Sequence, residues 1–269
     1  MKRITAILIL CLCPLFAGAQ VPQAKLAALD SLMHAYVAAM SYAGLDEKEA
    51  ECDTMILTAS DTLIRSHVAT GLFRLYRDSP VMGDEEVAIY IWDKWFAKGD
   101  LPMEPGEGKT LEDEYYDAKL FADFNRSTLI GAKAPVIKAK SPCGCKVKLP
   151  KNGRPAIIYF YDTSCSKCKL ESKLLPTVLS DRNEQLDFYA FYTGSDKKAW
   201  KEFRGSFSLG KKNIRVIHVW DPEAGSDYIR LYGVISTPKI YITTAGGQIL
   251  GRRLELDNIP QVLDLLQKM

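Results

Sequence analysis

The apolar positions of this 269-residue chain change their period near Ala134. From Pro22 to about Asn125 they recur at helical spacing, as in Leu26, Leu29, Leu32, Met33 and Val37, and again in Met55, Ile56, Leu63 and Ile64. After Pro80, the acids Asp84, Glu85 and Glu86 suit the first turn of a helix that continues through VAIYIWDKWFAKG and stops at Gly99. Residues 100–110 (DLPMEPGEGKT) are rich in proline and glycine and read as a loop. A last helix over about 111–124 leads into the linker STLIGAKAP. Beyond Ala134 the apolar residues gather in short β-branched and aromatic runs: AIIYFY (156–161), LDFYAFYT (186–193), IRVIHVW (214–220) and KIYITT (239–244). Such runs read as buried strands. Helical stretches over about 166–180, 196–205 and 225–232 separate them, and another lies near 259–268. Strand and helix in alternation predict an α/β sheet. KIYITT and QILGRRLE are too close for a crossover helix, so they are expected to form a hairpin across Ala245, Gly246 and Gly247.

The first residues follow another pattern. Lys2 and Arg3 precede an apolar run from Ile4 to Phe16, and Ala17-Gly18-Ala19 has the small-x-small form of a signal-peptidase site. Residues 1–19 are therefore expected to be a signal peptide, leaving an exported chain from Gln20. Leucine precedes both Cys11 and Cys13, which argues against a lipoprotein, and no later apolar run is long enough for a transmembrane helix. Without Lys2 and Arg3 the formal net charge falls from +2 to zero, but the charge is unevenly placed. Residues 20–130 carry 10 basic and 20 acidic side chains, and residues 131–269 carry 23 and 13, so the halves stand near −10 and +10. Mutual attraction of the halves is the expectation. Nucleic acid is not, because an exported protein rarely meets any and the chain has no aromatic-basic binding motif. There is no repeat, phosphate loop or spaced acidic metal cluster.

Export also sets the cysteine chemistry. Cys52, Cys143, Cys145, Cys165 and Cys168 remain in the exported chain, an odd number in a compartment where thiols tend to oxidise. The stretch TSCSKCKLE (163–171) directly follows the strand AIIYFY and opens a helix with Cys165. A helix N-terminus has unpaired N–H groups and partial positive charge, which favour a thiolate, and Lys167 and Lys169 add to the potential. Cys165 is thus the expected nucleophile, with Cys168 one turn on to resolve a mixed disulfide. Glu171, a further turn along, is placed to exchange a proton with the second thiol. A zinc site would need Cys143 and Cys145 as well, yet structural zinc sites pair knuckles on loops. A purely structural disulfide closing so small a loop would stabilise little. For Cys143-Gly144-Cys145 three readings stay open: a second redox pair exchanging with the first, a local disulfide, or a link to Cys52. Cys52 alone reads as a buried helical thiol. His34, His67 and His218 lie far from the cysteines in sequence, and Trp92 and Trp95 read as helix packing.

The strand AIIYFYDTS, the CSKC that opens a helix, and Ser236-Thr237-Pro238 before a later strand resemble a thioredoxin-fold thiol–disulfide oxidoreductase, closest to the extracytoplasmic TlpA/ResA-like group. IGAKAP (130–135) is similar to the GxxAP opening of that domain. The helical half resembles, less specifically, the α-helical domain before such thioredoxin domains in Bacteroidetes envelope proteins. The resemblance implies an α/β thioredoxin fold, a central mixed sheet flanked by helices, over 129–269, preceded by an acidic all-α domain over 20–128. It implies a redox-active Cys165–Cys168 disulfide with no other cofactor and no metal, and a proton-transfer role for Glu171. It further implies a cis proline that faces the cysteines and client at Thr237 and Pro238. The implied partners are protein thiols and disulfides and an upstream redox protein, in the periplasm or cell envelope of a Gram-negative bacterium. The competing class is a binding module of the same fold with an idle CSKC. Three positions depart from the pattern: Ser164 replaces the usual tryptophan, Tyr159 replaces a buried aspartate, and Pro176 falls later than the usual helix proline. The related peroxidase pattern PxxxTxxC is absent, since Ile158 and Asp162 occupy its proline and threonine positions.

Overall fold

The computed structural model describes residues 22–59 and 61–268, so the expected signal peptide lies outside the described residues. The chain divides after Ala122 into a helical unit and a sheet unit. The helical unit comprises α1 (Gln23–Ala39), α2 (Leu45–Thr58), α3 (Thr62–Arg77), α4 (Asp84–Ile91) and most of α5 (Leu111–Asn125). Asp61 caps α3 by accepting hydrogen bonds from the Leu63 and Ile64 amides, which satisfies two of the donors a helix start leaves free. The face of α3 that carries Val68, Ala69, Leu72, Phe73 and Tyr76 is buried, as is that of α4 with Val87, Ala88 and Ile91.

The sequence predicts one helix from Asp84 to Gly99. Instead α4 ends at Ile91 and widens into a π turn over Trp92–Phe96. The wider turn accompanies burial of both Trp92 and Phe96, while Trp95 donates its indole N–H to Asp53 at 3.0 Å. Both tryptophans are therefore packing residues of this unit. Beneath α4, the Lys48 ammonium meets Asp84 at 2.6 Å with both side chains buried, and Ser79 donates a second hydrogen bond to that carboxylate.

The sheet unit holds seven strands in the order β2-β1-β5-β4-β3-β6-β7. They are β1 (Ile137–Lys140), β2 (Lys146–Leu149), β3 (Ala156–Tyr161), β4 (Leu186–Tyr192), β5 (Ile214–Trp220), β6 (Lys239–Thr243) and β7 (Ile249–Gly251). Strands β3, β4 and β5 pair in parallel, whereas β6 joins β3 antiparallel and β1 joins β5 antiparallel. Every residue of β3 and β4 is buried, as continuous apolar runs in a doubly covered sheet must be. Alternate residues of β3 then serve opposite cores. Ile157, Tyr159 and Tyr161 pack with α6 (Ser166–Val178), α7 (Lys197–Ser206) and α9 (Ile259–Leu266); Ala156, Ile158 and Phe160 pack with Tyr228, on α8 (Tyr228–Leu231), and Tyr232. The predicted β6–β7 hairpin is present. The β1–β2 hairpin has no counterpart in the sequence reading, because four-residue strands alternating Lys with Ile, Ala, Val or Leu leave too short a pattern to register.

Candidate active site

The site grows from the end of β3. Asp162 leaves the strand and its carboxylate accepts the Ser164 amide and hydroxyl, each at 2.7 Å. This local turn lets the chain reverse into α6 with Cys165 as its N-cap. The Cys165 sulfur accepts the Cys168 amide at 3.1 Å, as a capping oxygen would, and lies 3.4 Å from the Thr237 carbonyl. The Thr237–Pro238 peptide is cis and leads into β6. Cys165 is half-buried and Cys168 is only 2% exposed. Burial, then the hydrogen bond with Cys165, pushes the Cys168 thiol up to about 12. The two sulfurs are therefore unequal in access and in chemistry.

Below them, Glu171 is 3% exposed and its Oε2 has no hydrogen-bond partner among the described residues. Burial raises its carboxyl to about 7, against the pull of Lys167, whose ammonium is 3.8 Å away. That lysine is held elsewhere, at 2.6 and 2.7 Å from the two Glu255 oxygens, so it tempers the carboxyl without pairing closely with it. Tyr159 forms the floor. Its hydroxyl donates to the Cys168 carbonyl at 3.1 Å, and its ring stacks on Tyr161 with centroids 5.4 Å apart. Burial also raises this phenol well above its usual range, so it stays a neutral donor where a carboxylate would add charge. Beside it, a cleft of about 460 Å³ between α6 and α7 opens on Cys168 and is lined by Tyr161, Lys169 and Phe203 among others.

Cys165, Cys168, Thr237 and Pro238 thus converge, and Glu171 follows one turn along the same helix. Cys143 and Cys145 do not join them. They sit exposed on the turn of the β1–β2 hairpin, and β1 is separated from β3 by β5 and β4, about 14 Å in three strand spacings. The structure does not bring the two pairs together. Cys52 is buried in α2 of the helical unit, where burial pushes its thiol up to about 12; the five cysteines among the described residues are free. His67 bridges Asp30 and Glu104, and His218 is set between Phe203 and Phe207 in the sheet unit, so neither belongs to the site. Sequence reasoning missed Asp162, although an acid two residues before a serine at a strand end is a turn signal.

No family model matches this chain, and no curated protein does. Among solved structures, a thioredoxin-like protein from Bacteroides caccae matches with a TM-score of 0.67 at 16% identity, over 91% of this chain and 85% of that one. The thioredoxin domain of a thiol-disulfide oxidoreductase from Bacteroides vulgatus matches 51% of this chain and 96% of its own, at 20% identity and a TM-score of 0.42. A thiol-disulfide oxidoreductase from Bacteroides fragilis matches 50% and 98%, at 17% identity and 0.41. The fold is thioredoxin-like, with a helical region ahead of the mixed sheet.

Proposed function

We propose that this chain is a thiol–disulfide oxidoreductase that exchanges disulfides with protein clients through Cys165 and Cys168. One observation carries the reading: a reachable sulfur caps α6 while its partner is buried directly behind it, bonded through its amide to the first. In the reducing direction the Cys165 thiolate attacks one client sulfur, and the other client sulfur leaves as a thiolate. Cys168 then loses its proton and attacks the Cys165 sulfur, which expels the second client thiolate and closes the Cys165–Cys168 disulfide. Two electrons pass from the pair to the client, and the reverse sequence oxidises a dithiol. A Cys168 thiol near 12 needs a base to react at neutral pH, and Glu171 near 7 is the buried group one turn away suited to accept its proton. Thr237 and Pro238 offer backbone to the client beside Cys165.

Among the described residues no helix is long and apolar enough to cross a membrane. With the expected signal peptide, this supports a chain exported to the periplasm or cell envelope, with an upstream thiol protein to reset the pair. Insulin reduction by the purified chain tests the activity. Turnover should fall sharply in Cys165→Ser, and Cys168→Ser should accumulate a mixed disulfide on Cys165. A wild-type chain that neither reduces insulin nor becomes oxidised by it would instead mark a binding module.

A further inference from the structure

Two exposed thiols at the tip of the β1–β2 hairpin lie outside the machinery above. Their hairpin has an unusual outer face. Lys138 stands opposite Lys148, and Lys140 opposite Lys146, with all four exposed while Ile137, Ala139 and Leu149 fill the core behind them. Like charges directly across a strand pair destabilise the hairpin. Among the described residues none of the four makes an ion pair. Lysines on an edge strand do keep it from pairing with other chains. That role needs no facing same-sign pairs and leaves the two thiols unexplained.

The turn itself carries both thiols on one short backbone loop. Ser141 donates its amide to the Cys145 carbonyl at 2.8 Å and accepts the Gly144 amide at 2.9 Å. Gly144 takes a φ of 84°, which closes the turn between the two cysteines. The Ser141 hydroxyl lies 3.0 Å from the Cys143 sulfur. We propose that Cys143 and Cys145 form a second thiol-exchange centre, with Cys143 as nucleophile and Cys145 as resolving thiol, and that its partner is an acidic protein segment bearing a disulfide, docked on the four lysines.

The electrostatics agree with the assignment. The Ser141 hydroxyl, then the amide and thiol of Cys145, bring the Cys143 thiol down to about 7, while Cys145 is pushed up by its hydrogen bond to Cys143 and by that neighbour's charge. The lysine face favours an anionic partner and disfavours a metal cation at the same dithiol. In the exchange, Cys143 thiolate attacks a partner sulfur and the other partner sulfur leaves as thiolate. Cys145, deprotonated by solvent, attacks the Cys143 sulfur and releases the second. The partner gains two electrons, and a Cys143–Cys145 disulfide remains. Because β5 and β4 lie between this hairpin and β3, the centre serves its own partner and not Cys165 of the same chain.

The test uses the full chain carrying Cys165→Ser and Cys168→Ser, reduced, with two cyclic disulfide peptides of one ring size flanked by Glu and Asp or by Lys. The acidic peptide should be reduced with loss of two hydrogens' mass from the 141–146 segment. At low salt it should react about tenfold faster than the basic one, the ratio falling toward one at 1 M salt. Cys145→Ser should arrest on a mixed disulfide at Cys143. Joint replacement of Lys138, Lys140, Lys146 and Lys148 by Gln should erase the preference but keep the mass loss. Peptide mapping of the unsubstituted chain provides the same mass readout without any variant. No mass loss, equal rates for the two peptides, or an arrested adduct on Cys145 would each overturn the proposal. Cys165 and Cys168 are absent from the rate comparison, so its failure is separate from failure of the oxidoreductase reading.

Discussion

Cys165 and Cys168 differ by three positions and by one helical turn, yet the fold gives them different surroundings. Cys165 is the half-exposed cap, and Cys168 is buried with its thiol held near 12. Limiting iodoacetamide near neutral pH, mapped by peptide, should therefore label Cys165 well before Cys168; faster labelling of Cys168 would reverse their roles. Glu171 makes a second prediction with a sign. Its proton is held more tightly in the fold, near 7, than in the unfolded chain, near 4.5. Wild-type stability should thus fall relative to Glu171→Gln as pH rises from about 4.5 and level off above about 7. At pH 8 the variant should be the more stable by about 2 kcal/mol in urea unfolding, a figure discounted for solvent around Lys167, and the two should coincide near pH 4. The same variant should slow insulin reduction by about 100-fold or more, since it cannot accept the Cys168 proton. A gain in stability with unchanged rate would leave Glu171 a buried burden and not a base.

At the scale of elements, the site depends on how loops reverse at the end of the sheet. Gly233, between α8 and the cis peptide, has a φ of 59°, and a Cβ there would stand 2.6 Å from the Phe124 carbonyl oxygen. The obstacle is backbone, which cannot swing aside as a long side chain would. Gly233→Ala should therefore cost more than about 1 kcal/mol in urea unfolding, beyond the usual effect of removing glycine flexibility. An alanine variant as stable as wild type would show that this turn relaxes freely. β3 illustrates the complementary point. Its six-residue apolar run was readable as a strand, but the split of Tyr159 to the cysteine side and Phe160 to the other follows only from which helices cover each face.

Across the whole molecule, each unit carries its own buried groups. In the helical unit the Lys48–Asp84 pair is 2.6 Å apart with both side chains all but excluded from water. Lys48→Met removes one charge and leaves Asp84 buried with Ser79 as its one side-chain hydrogen-bond partner among the described residues, which should cost about 3–5 kcal/mol. Urea unfolding followed by far-ultraviolet circular dichroism would check this. Adding Asp84→Leu should recover most of the loss, because a matched apolar pair no longer strands a charge. If the single variant is nearly neutral, water must reach the carboxylate.

Local periodicity in the sequence was enough to determine the change from helical to α/β organisation, the main strands and the position of CSKC at a helix start, since these depend on neighbours a few residues apart. The same local rules did not reveal the π turn after Ile91 or the lysine hairpin, whose signals are short or set by distant packing partners. Tertiary structure alone decided that Glu171 loses its solvent and that β1 stands three strand spacings from β3, while the contact of Thr237 with Cys165, 72 residues apart, is one the resemblance had implied. Burial and proximity arise from the folded sheet as a whole, and they are what set one thiol apart from a neighbouring residue of the same type.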